Sequence, residues 1–185
     1  MILLTAPATE PVTTTEAKRA ARISDITAFD DDMAGWIKAA REQAEQISGR
    51  RFIAQTWRTE LRDWPPEDHR FLIADATAVA IAYWNGSAWA SMSTNDIAYC
   101  ADSGATLIAP VSGTWPTLGE RVLAARVRVD ITAGAATAAD VPESVKLYIK
   151  ALVAHWVDNP GAAPQGQRGE VDPLFARLLD PVRVY

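Results

Sequence analysis

The apolar positions of this chain follow two rhythms, and the switch between them divides it. Phe29, Met33, Trp36, Ile37, Ala40, Ala44 and Ile47 recur at the spacing of one helix face, which predicts a helix near residues 29–48. Asp30, Asp31 and Asp32 crowd its start, where the helix dipole favours anions. Gly49, followed by Arg50 and Arg51, closes it in "EQAEQISGRRFIAQTW". A second stripe, Val145, Tyr148, Ile149, Leu152, Val153 and Trp156, predicts a helix over 142–158, with Pro142 in its first turn and Asn159-Pro160-Gly161 as its stop. Thr13 with Glu16 three residues on forms a capping-box pattern and predicts a short helix over 14–23. Leu174, Phe175, Leu178 and Leu179 make a last short stripe between Pro173 and Pro181.

Between the two long helices the period drops to two. Trp57, Thr59 and Leu61 alternate with Arg58, Glu60 and Arg62, until Pro65 and Pro66 end the run. "TAVAIAYWNGSAWASM" reads as a hairpin closed by a two-residue type I′ turn at Asn85-Gly86. "DIAYC" and "ATLIAP" flank a turn at Asp102-Ser103-Gly104, and "ARVRVDITAG" alternates again. These runs predict an antiparallel β unit of five or six short strands. The expected fold class is therefore α+β: a helical core with an inserted antiparallel β unit. Residues 1–50 would supply the first part of the helical core, 51–139 the β unit, and 140–160 the second part of the core. Residues 161–185 would be a polar linker, "GAAPQGQRGE", and a carboxy-terminal segment. The apolar stripe of that segment needs a partner. The pattern fits equally a docked fourth helix of the same core and an arm that reaches another protein.

Composition narrows the function classes. The chain has 185 residues, 49% of them hydrophobic, which suffices for a sizeable core. Its formal charge of −5 argues against a protein that grips nucleic acid, because such grip comes from clustered Lys and Arg. The one cysteine, Cys100, excludes an internal disulfide and a multi-cysteine metal site, and suits a reducing compartment. "MILLTAPATEP" is too short and too poor in basic residues for a secretory leader, and no apolar run approaches membrane-spanning length. Synthesis in the cytoplasm and no membrane partner are the expectation. Seven tryptophans suit a core and also protein–protein contacts.

Candidate chemistry is sparse. His155 lies beside an apolar stripe with Asp158 three residues on, which fits a helix-edge histidine better than a catalytic one. His69 follows Asp68 in a Pro-rich loop and reads as solvated. Cys100 ends a predicted strand with no base near it in sequence, so a buried structural thiol is expected. Asp30 to Asp32 lack the alternating ligand spacing of a calcium loop. Gly166-Gln167-Arg168-Gly169 sits in a linker without the flanking helices of a backbone clamp. The arginines of "RVRVD" fit a solvated strand face, and Trp84 and Trp89 fit cross-strand packing. No catalytic group, cofactor or metal site is expected.

The order of these pieces resembles the head–tail connector, or adaptor, family of tailed bacteriophages and phage-like gene transfer agents. The likeness rests on "VTTTEAKRAARI", "AAREQAEQISGRRFIAQTW", the Trp-Pro of "SGTWP", "DITAG", "VPESVKLYIKALVAHWVDN" and the closing "LLDPVRV", and it spans nearly the whole chain. After the Trp-Val-Asp-Asn helix end, "PGAAPQGQRGE" replaces the family's usual run of small and aromatic residues. The resemblance implies a structural virion protein without enzymatic activity, located in the particle neck. It implies a closed ring of twelve copies under the portal protein that extends the DNA channel and joins the capsid to the tail. The partners implied are the portal, the next neck or tail protein (a stopper or tail terminator), further copies of the chain, and DNA passing without specific binding. It implies that residues 161–185 are a linker and a carboxy-terminal portal-docking arm, the portal contact involving Leu174, Phe175, Leu178, Leu179, Arg183 and Tyr185. Two other readings use the same residues. One is a stand-alone protein- or sugar-binding module working through Trp84, Trp89 and Trp115; the other is a small hydrolase using His155 or Cys100.

Overall fold

The computed structural model describes residues 1–102, 104–159 and 173–184. Helices combine with antiparallel sheets in an α+β fold. The chain divides into a helical unit, Ala8–Ile53 with Ala135–Val184, and a sheet unit, Met1–Pro7 with Ala54–Gly134.

The helical unit is built on α1 (Thr14–Ala20), α2 (Asp30–Ser48) and α3 (Glu143–Asp158). The capping box at α1 forms as expected: the Thr13 hydroxyl accepts from the Glu16 N–H at 3.2 Å, and the Glu16 carboxylate accepts from the Thr13 N–H at 2.8 Å. Those bonds from Thr13 hold the Glu16 carboxyl below its ordinary range. The helix stops three residues short of the expected Ile23. Arg22 takes φ +59, the Ile23 N–H returns to the Lys18 carbonyl, and the Arg22 N–H returns to that of Arg19. This is a Schellman closure with arginine where glycine is usual, so the sequence carries no visible stop signal.

The two long stripes face one core. Met33, Ile37, Ala40 and Ala44 of α2 meet Val145, Tyr148, Ile149, Leu152, Val153 and Trp156 of α3, with Val12, Ala17, Phe52 and Leu179 in the same cluster. Trp156 is buried, whereas Trp36 sits half-buried at the margin, its ring 5.6 Å from that of Phe29. Pro142 is the N-cap of α3 and lies just outside it. Tyr148 is fully buried and its hydroxyl finds no partner among the described residues; burial alone pushes its pKa up to about 12.

Two buried charges lie inside the α2 stripe. Arg41 is 2% exposed and pairs with Glu10 at 2.8 Å and with Glu45, one turn on, at 3.1 Å. Burial pulls its pKa down, but Glu10 and Glu45 outweigh that and leave it above the ordinary value. The other oxygen of Glu45 accepts the Phe52 N–H at 3.1 Å. Gly49, at φ +74, ends α2 in the left-handed conformation expected of it. Beyond this corner the Phe52 carbonyl accepts the Ala135 N–H at 3.2 Å, and Ile53 bridges Ala135. The chain thus leaves the helical unit and re-enters it through two bonded segments.

The carboxy-terminal segment belongs to the same core. α4 (Pro173–Ala176) continues as a 3₁₀ turn, Arg177–Val182. Leu179 is fully buried, while Phe175, Leu178 and Val182 pack partly buried against the cluster. The Val184 N–H donates to the Ser48 carbonyl at 2.8 Å, just before the Gly49 corner. Of the two possibilities the sequence left open, the structure shows the docked element. The linker between residues 164 and 170, the Leu174 side chain and Tyr185 lie outside the described residues.

The sheet unit contains β1 (Ile2–Thr5), β2 (Gln55–Leu61), β3 (Ala76–Trp84), β4 (Trp89–Ser91), β5 (Ile97–Asp102), β6 (Ala105–Pro110) and β7 (Val127–Ala133). Five strands form one antiparallel sheet in the order β1-β2-β7-β3-β4, and β5 pairs with β6. β7 is central because both faces of its alternation are used. Val127, Val129, Ile131 and Ala133 are buried, and Arg128 and Asp130 point the other way, opposite Glu60 and Arg58 of β2. Phe71 and Ile73, which no pattern assigned, join this core. Phe71 exchanges two backbone bonds with Thr106 of β6, and the Thr106 hydroxyl donates to the Ile73 carbonyl at 2.7 Å. β1 was also unforeseen, since "ILLT" has no alternation to read.

The β3–β4 hairpin differs from expectation. Trp84 pairs with Trp89, leaving a four-residue connection in place of a two-residue I′ turn. The Asn85 side-chain oxygen accepts from the Ser87 N–H, the Ser87 hydroxyl and the Ala88 N–H, so a side chain does the work of a tighter backbone turn. Gly119 crosses against this loop and donates to the Trp84 carbonyl at 2.8 Å. A Cβ at Gly119 would lie 2.0 Å from the Gly86 nitrogen, so only glycine fits there.

Two stability outcomes follow. Leu179→Ala should cost about 2–5 kcal/mol, the range for emptying a closed aliphatic site, and deleting residues 173–185 should lower Tm sharply or cause aggregation. A truncated chain that melts like the intact one would show that the segment is no part of the core. Glu45→Ala should cost about 3–5 kcal/mol, because it strips a buried arginine of one partner and the Phe52 N–H of its acceptor. Glu10→Ala should cost less, since Glu10 is 27% exposed. Chemical denaturation of the three variants checks the ranking.

Candidate assembly surfaces

The residues with chemical potential are mostly committed to structure. His155 is exposed on the last turn of α3, where its carbonyl accepts the Asn159 side-chain amide at 3.2 Å. His69 is half-buried, its ring set edge-on to Phe71 at 4.6 Å, so it is less solvated than the loop pattern suggested. Among the described residues no three His, Cys, Asp or Glu side chains gather closely enough to hold a metal ion. Asp30 pairs with Lys18 at 2.6 Å, an ordinary link between the start of α2 and α1.

Cys100 corrects an expectation: it is exposed. β5 pairs only with β6, so one edge of it stays open, and of residues 97–101 only Ile97 is buried. Sequence position at a strand end could not reveal that the strand lies in a two-stranded ribbon.

The arginines of "RVRVD", and Arg58 opposite them on β2, are paired with acids. Arg58 makes two bonds of 2.7 Å to Asp130 across β2 and β7, Arg128 meets Glu60 at 2.9 Å, and Arg126 meets Asp63 at 3.0 Å. The Asp130 bonds raise the Arg58 pKa above its ordinary value. This row offers no bare positive stripe to a phosphate backbone.

Four of the five tryptophans of the sheet unit form two half-buried clusters. Trp84 and Trp89 meet edge to face at 6.0 Å. Arg121 lies 5.0 and 5.2 Å from their ring centres, and Arg128 lies 3.9 Å from that of Trp89. Trp115 stacks flat on Trp64 at 4.5 Å, and the Trp64 indole N–H donates to the Pro116 carbonyl. Guanidinium groups lie over Trp84 and Trp89, and a second indole takes one face of Trp115, which leaves less open stacking surface for a sugar.

Of the residues expected at a portal contact, Leu179 is inside the subunit's own core, Phe175 and Leu178 are half-buried against it, and Arg183 is half-buried beside Asp180 at 3.6 Å. The clearest free apolar surface is elsewhere and was not foreseen: Ile2, Leu3 and Leu4 of β1, and Val122 with Leu123 in the β6–β7 connection. An open groove is lined by Thr13, Glu16, Glu143, Lys146 and Lys150. Its carboxylates are held by neighbours, Glu143 by Lys146 at 2.8 Å.

No protein-family model and no curated protein matches the sequence. Solved structures do match in fold. One is a chain in the neck of an empty gene transfer agent particle computed with C6 symmetry, with a TM-score of 0.76 and 19% identity over 100% of this chain and 96% of that one. A chain in the virion of a native gene transfer agent particle has a TM-score of 0.74 and 17% identity, covering 99% and 96%. A chain in the neck of a native particle computed with C12 symmetry has a TM-score of 0.69 and 17% identity, covering 100% and 96%. The chain shares its fold, along nearly its full length, with chains of gene transfer agent particles and their necks.

Proposed function

We propose that this chain is a structural, non-enzymatic protein of the neck of a phage or gene transfer agent particle. In this reading it is a head–tail connector: twelve copies close into a ring beneath the portal, extend the DNA channel and join the capsid to the next neck or tail protein. The observation that supports it is the end-to-end likeness of fold to chains of particles resolved with six- and twelve-fold neck symmetry. The resemblance of the sequence motifs to the head–tail connector family supports the finer part of this reading.

The chemistry of the surface agrees with a passive conduit. A net charge of −5, repeated around a ring, repels DNA and lets it slide, and the arginines of the central strands are already paired. The portal contact falls to the carboxy-terminal segment. Leu179 would anchor that segment from within, leaving Phe175, Leu178 and Arg183, with Leu174 and Tyr185, for the portal side. Trp84 and Trp89 under guanidinium groups, and Trp115 stacked on Trp64, weigh against the sugar-binding alternative.

Electron microscopy of the chain mixed with its portal should show a closed ring on the portal's tail-facing end; a portal that stays bare would sink the proposal. Arg183→Glu should weaken that joint without changing the far-ultraviolet circular dichroism. In a polarisation assay near physiological ionic strength, the isolated chain should show no salt-sensitive affinity for duplex DNA. Tight, salt-dependent binding would overturn the passive conduit.

A further inference from the structure

The β1 edge and the β6–β7 connection are unusual in the same way. β1 is an outer strand of the five-stranded sheet, and all four of its side chains are exposed, with Ile2 at 60%, Leu3 at 42% and Leu4 at 48%. Edge strands are normally protected by charges, prolines or bulges. β1 has no charge and no proline, and its one protective feature is the irregularity between Leu3 and Thr5. The other outer strand, β4, is only three residues long. A bare apolar edge of this kind is a place for another chain.

Val122 and Leu123 are the most exposed large aliphatics in the described chain, at 88% and 84%. They stand on a braced loop. Gly119 is bonded to the Trp84 carbonyl, the Arg121 guanidinium covers Trp84 and Trp89 and also donates to the Ala125 carbonyl, and the Arg126 N–H donates to the Leu61 carbonyl. Leu123 itself holds φ +53, a conformation that costs a branched residue about 1 kcal/mol or more. The fold therefore spends rigidity and backbone strain on presenting two apolar side chains to solvent. The Trp84–Trp89 end that braces this tip lies at β4, four strands from β1, which is about 19 Å at the usual strand spacing.

A cyclic ring needs two unlike patches on each subunit, one to meet the other on the next copy. The sheet unit carries such a pair: a rigid apolar tip and a distant, unprotected apolar edge. We infer that the copies of the ring meet through them, the Val122–Leu123 tip of one copy seating against the Ile2–Leu4 edge of the next. The occupant of the edge is thus a second copy of this chain. This inference rests on the ring proposed above and names the surfaces that close it.

The test uses the full chain with Cys100→Ser, assembled on the portal and treated with a short bifunctional maleimide. Leu3→Cys combined with Leu123→Cys should give a ladder of covalent oligomers rising to the closed ring, and either substitution alone should give none. Leu123→Asn supplies the second measurement. Asparagine tolerates the left-handed backbone, so Tm should hold or rise, while association weakens roughly tenfold or more with the loss of a buried leucine. Rings that form normally but give no ladder, with Leu123→Asn assembling like the parent, would overturn the assignment and leave the connector reading intact. Covalent dimers from Leu3→Cys alone would also overturn it, because the edge would then pair with itself. A parent chain that forms no ring on the portal would overturn the connector reading and this inference together.

Discussion

Glu45 is the point on which the helical unit turns. One oxygen binds Arg41 inside an otherwise apolar stripe, and the other holds the Phe52 N–H beyond the helix end. A buried guanidinium is tolerable only when it is paired, and a chain leaving a helix must satisfy its backbone groups. One carboxylate meets both demands, so the direction of the exit is coupled to the packing of α2. The corner then recruits the rest. Ser48 receives the Val184 N–H through its carbonyl, and the Phe52 carbonyl receives the Ala135 N–H. Three separate parts of the chain converge within five residues of Gly49.

In the sheet unit the organising constraint is the alternation of β7. Its buried face fixes the register of β2 and β3, because a slip of one residue would put Arg128 and Asp130 where Val129 and Ile131 now lie. Once the register is set, the opposite face brings each arginine against an acid. Charge pairing here follows from the apolar pattern, and each exposed pair contributes little stability of its own. Its larger effect is on the surface: the positive charge of Arg58 and Arg128 is already paired and not offered bare to a phosphate backbone.

What the sequence made legible was whatever repeats. The two helix stripes, the capping box, the Gly49 stop, the apolar run of β3 and the alternation of β2 and β7 were all visible, because each is a run of residues facing one environment. Single residues that act against their local pattern were hidden. Arg22 closes α1 where glycine would be expected, and Arg41 and Glu45 sit within the apolar face at i and i+4, a spacing that reads equally well as a solvent pair. β1 has no alternation because both its faces are bare, and Phe71 and Ile73 are buried by pairing with a strand more than thirty residues away. Cys100 was misplaced for a similar reason: exposure depended on how many strands its ribbon has. Of the surface residues, the portal-side set was suggested by family resemblance alone, while the Val122–Leu123 tip had a signal that could have been used. Two adjacent large aliphatics stand in a connection flanked by Arg121 and the alanines of "LAARV", with no periodic neighbour to bury them.

The carboxy-terminal segment shows why an apolar stripe does not name its partner. α4 has four residues and its continuation holds Pro181, so the segment has almost no helical stability of its own. Its order comes from burying Leu179 and from the Val184 bond, both inside the subunit. A portal that tried to extract Leu179 would have to replace one burial with another, and the difference between two such burials is small. The proposed portal contact would therefore be favourable only if it adds surface to the docked segment: the outer parts of Phe175 and Leu178, and the Arg183 guanidinium beyond Asp180. A segment ordered beforehand by its own core also loses less conformational freedom on binding than a free arm would. In the proposed joint the core of the subunit and the contact with its neighbour share one short stretch of chain, so a substitution at Leu179 should weaken both, while one at Arg183 should weaken only the second.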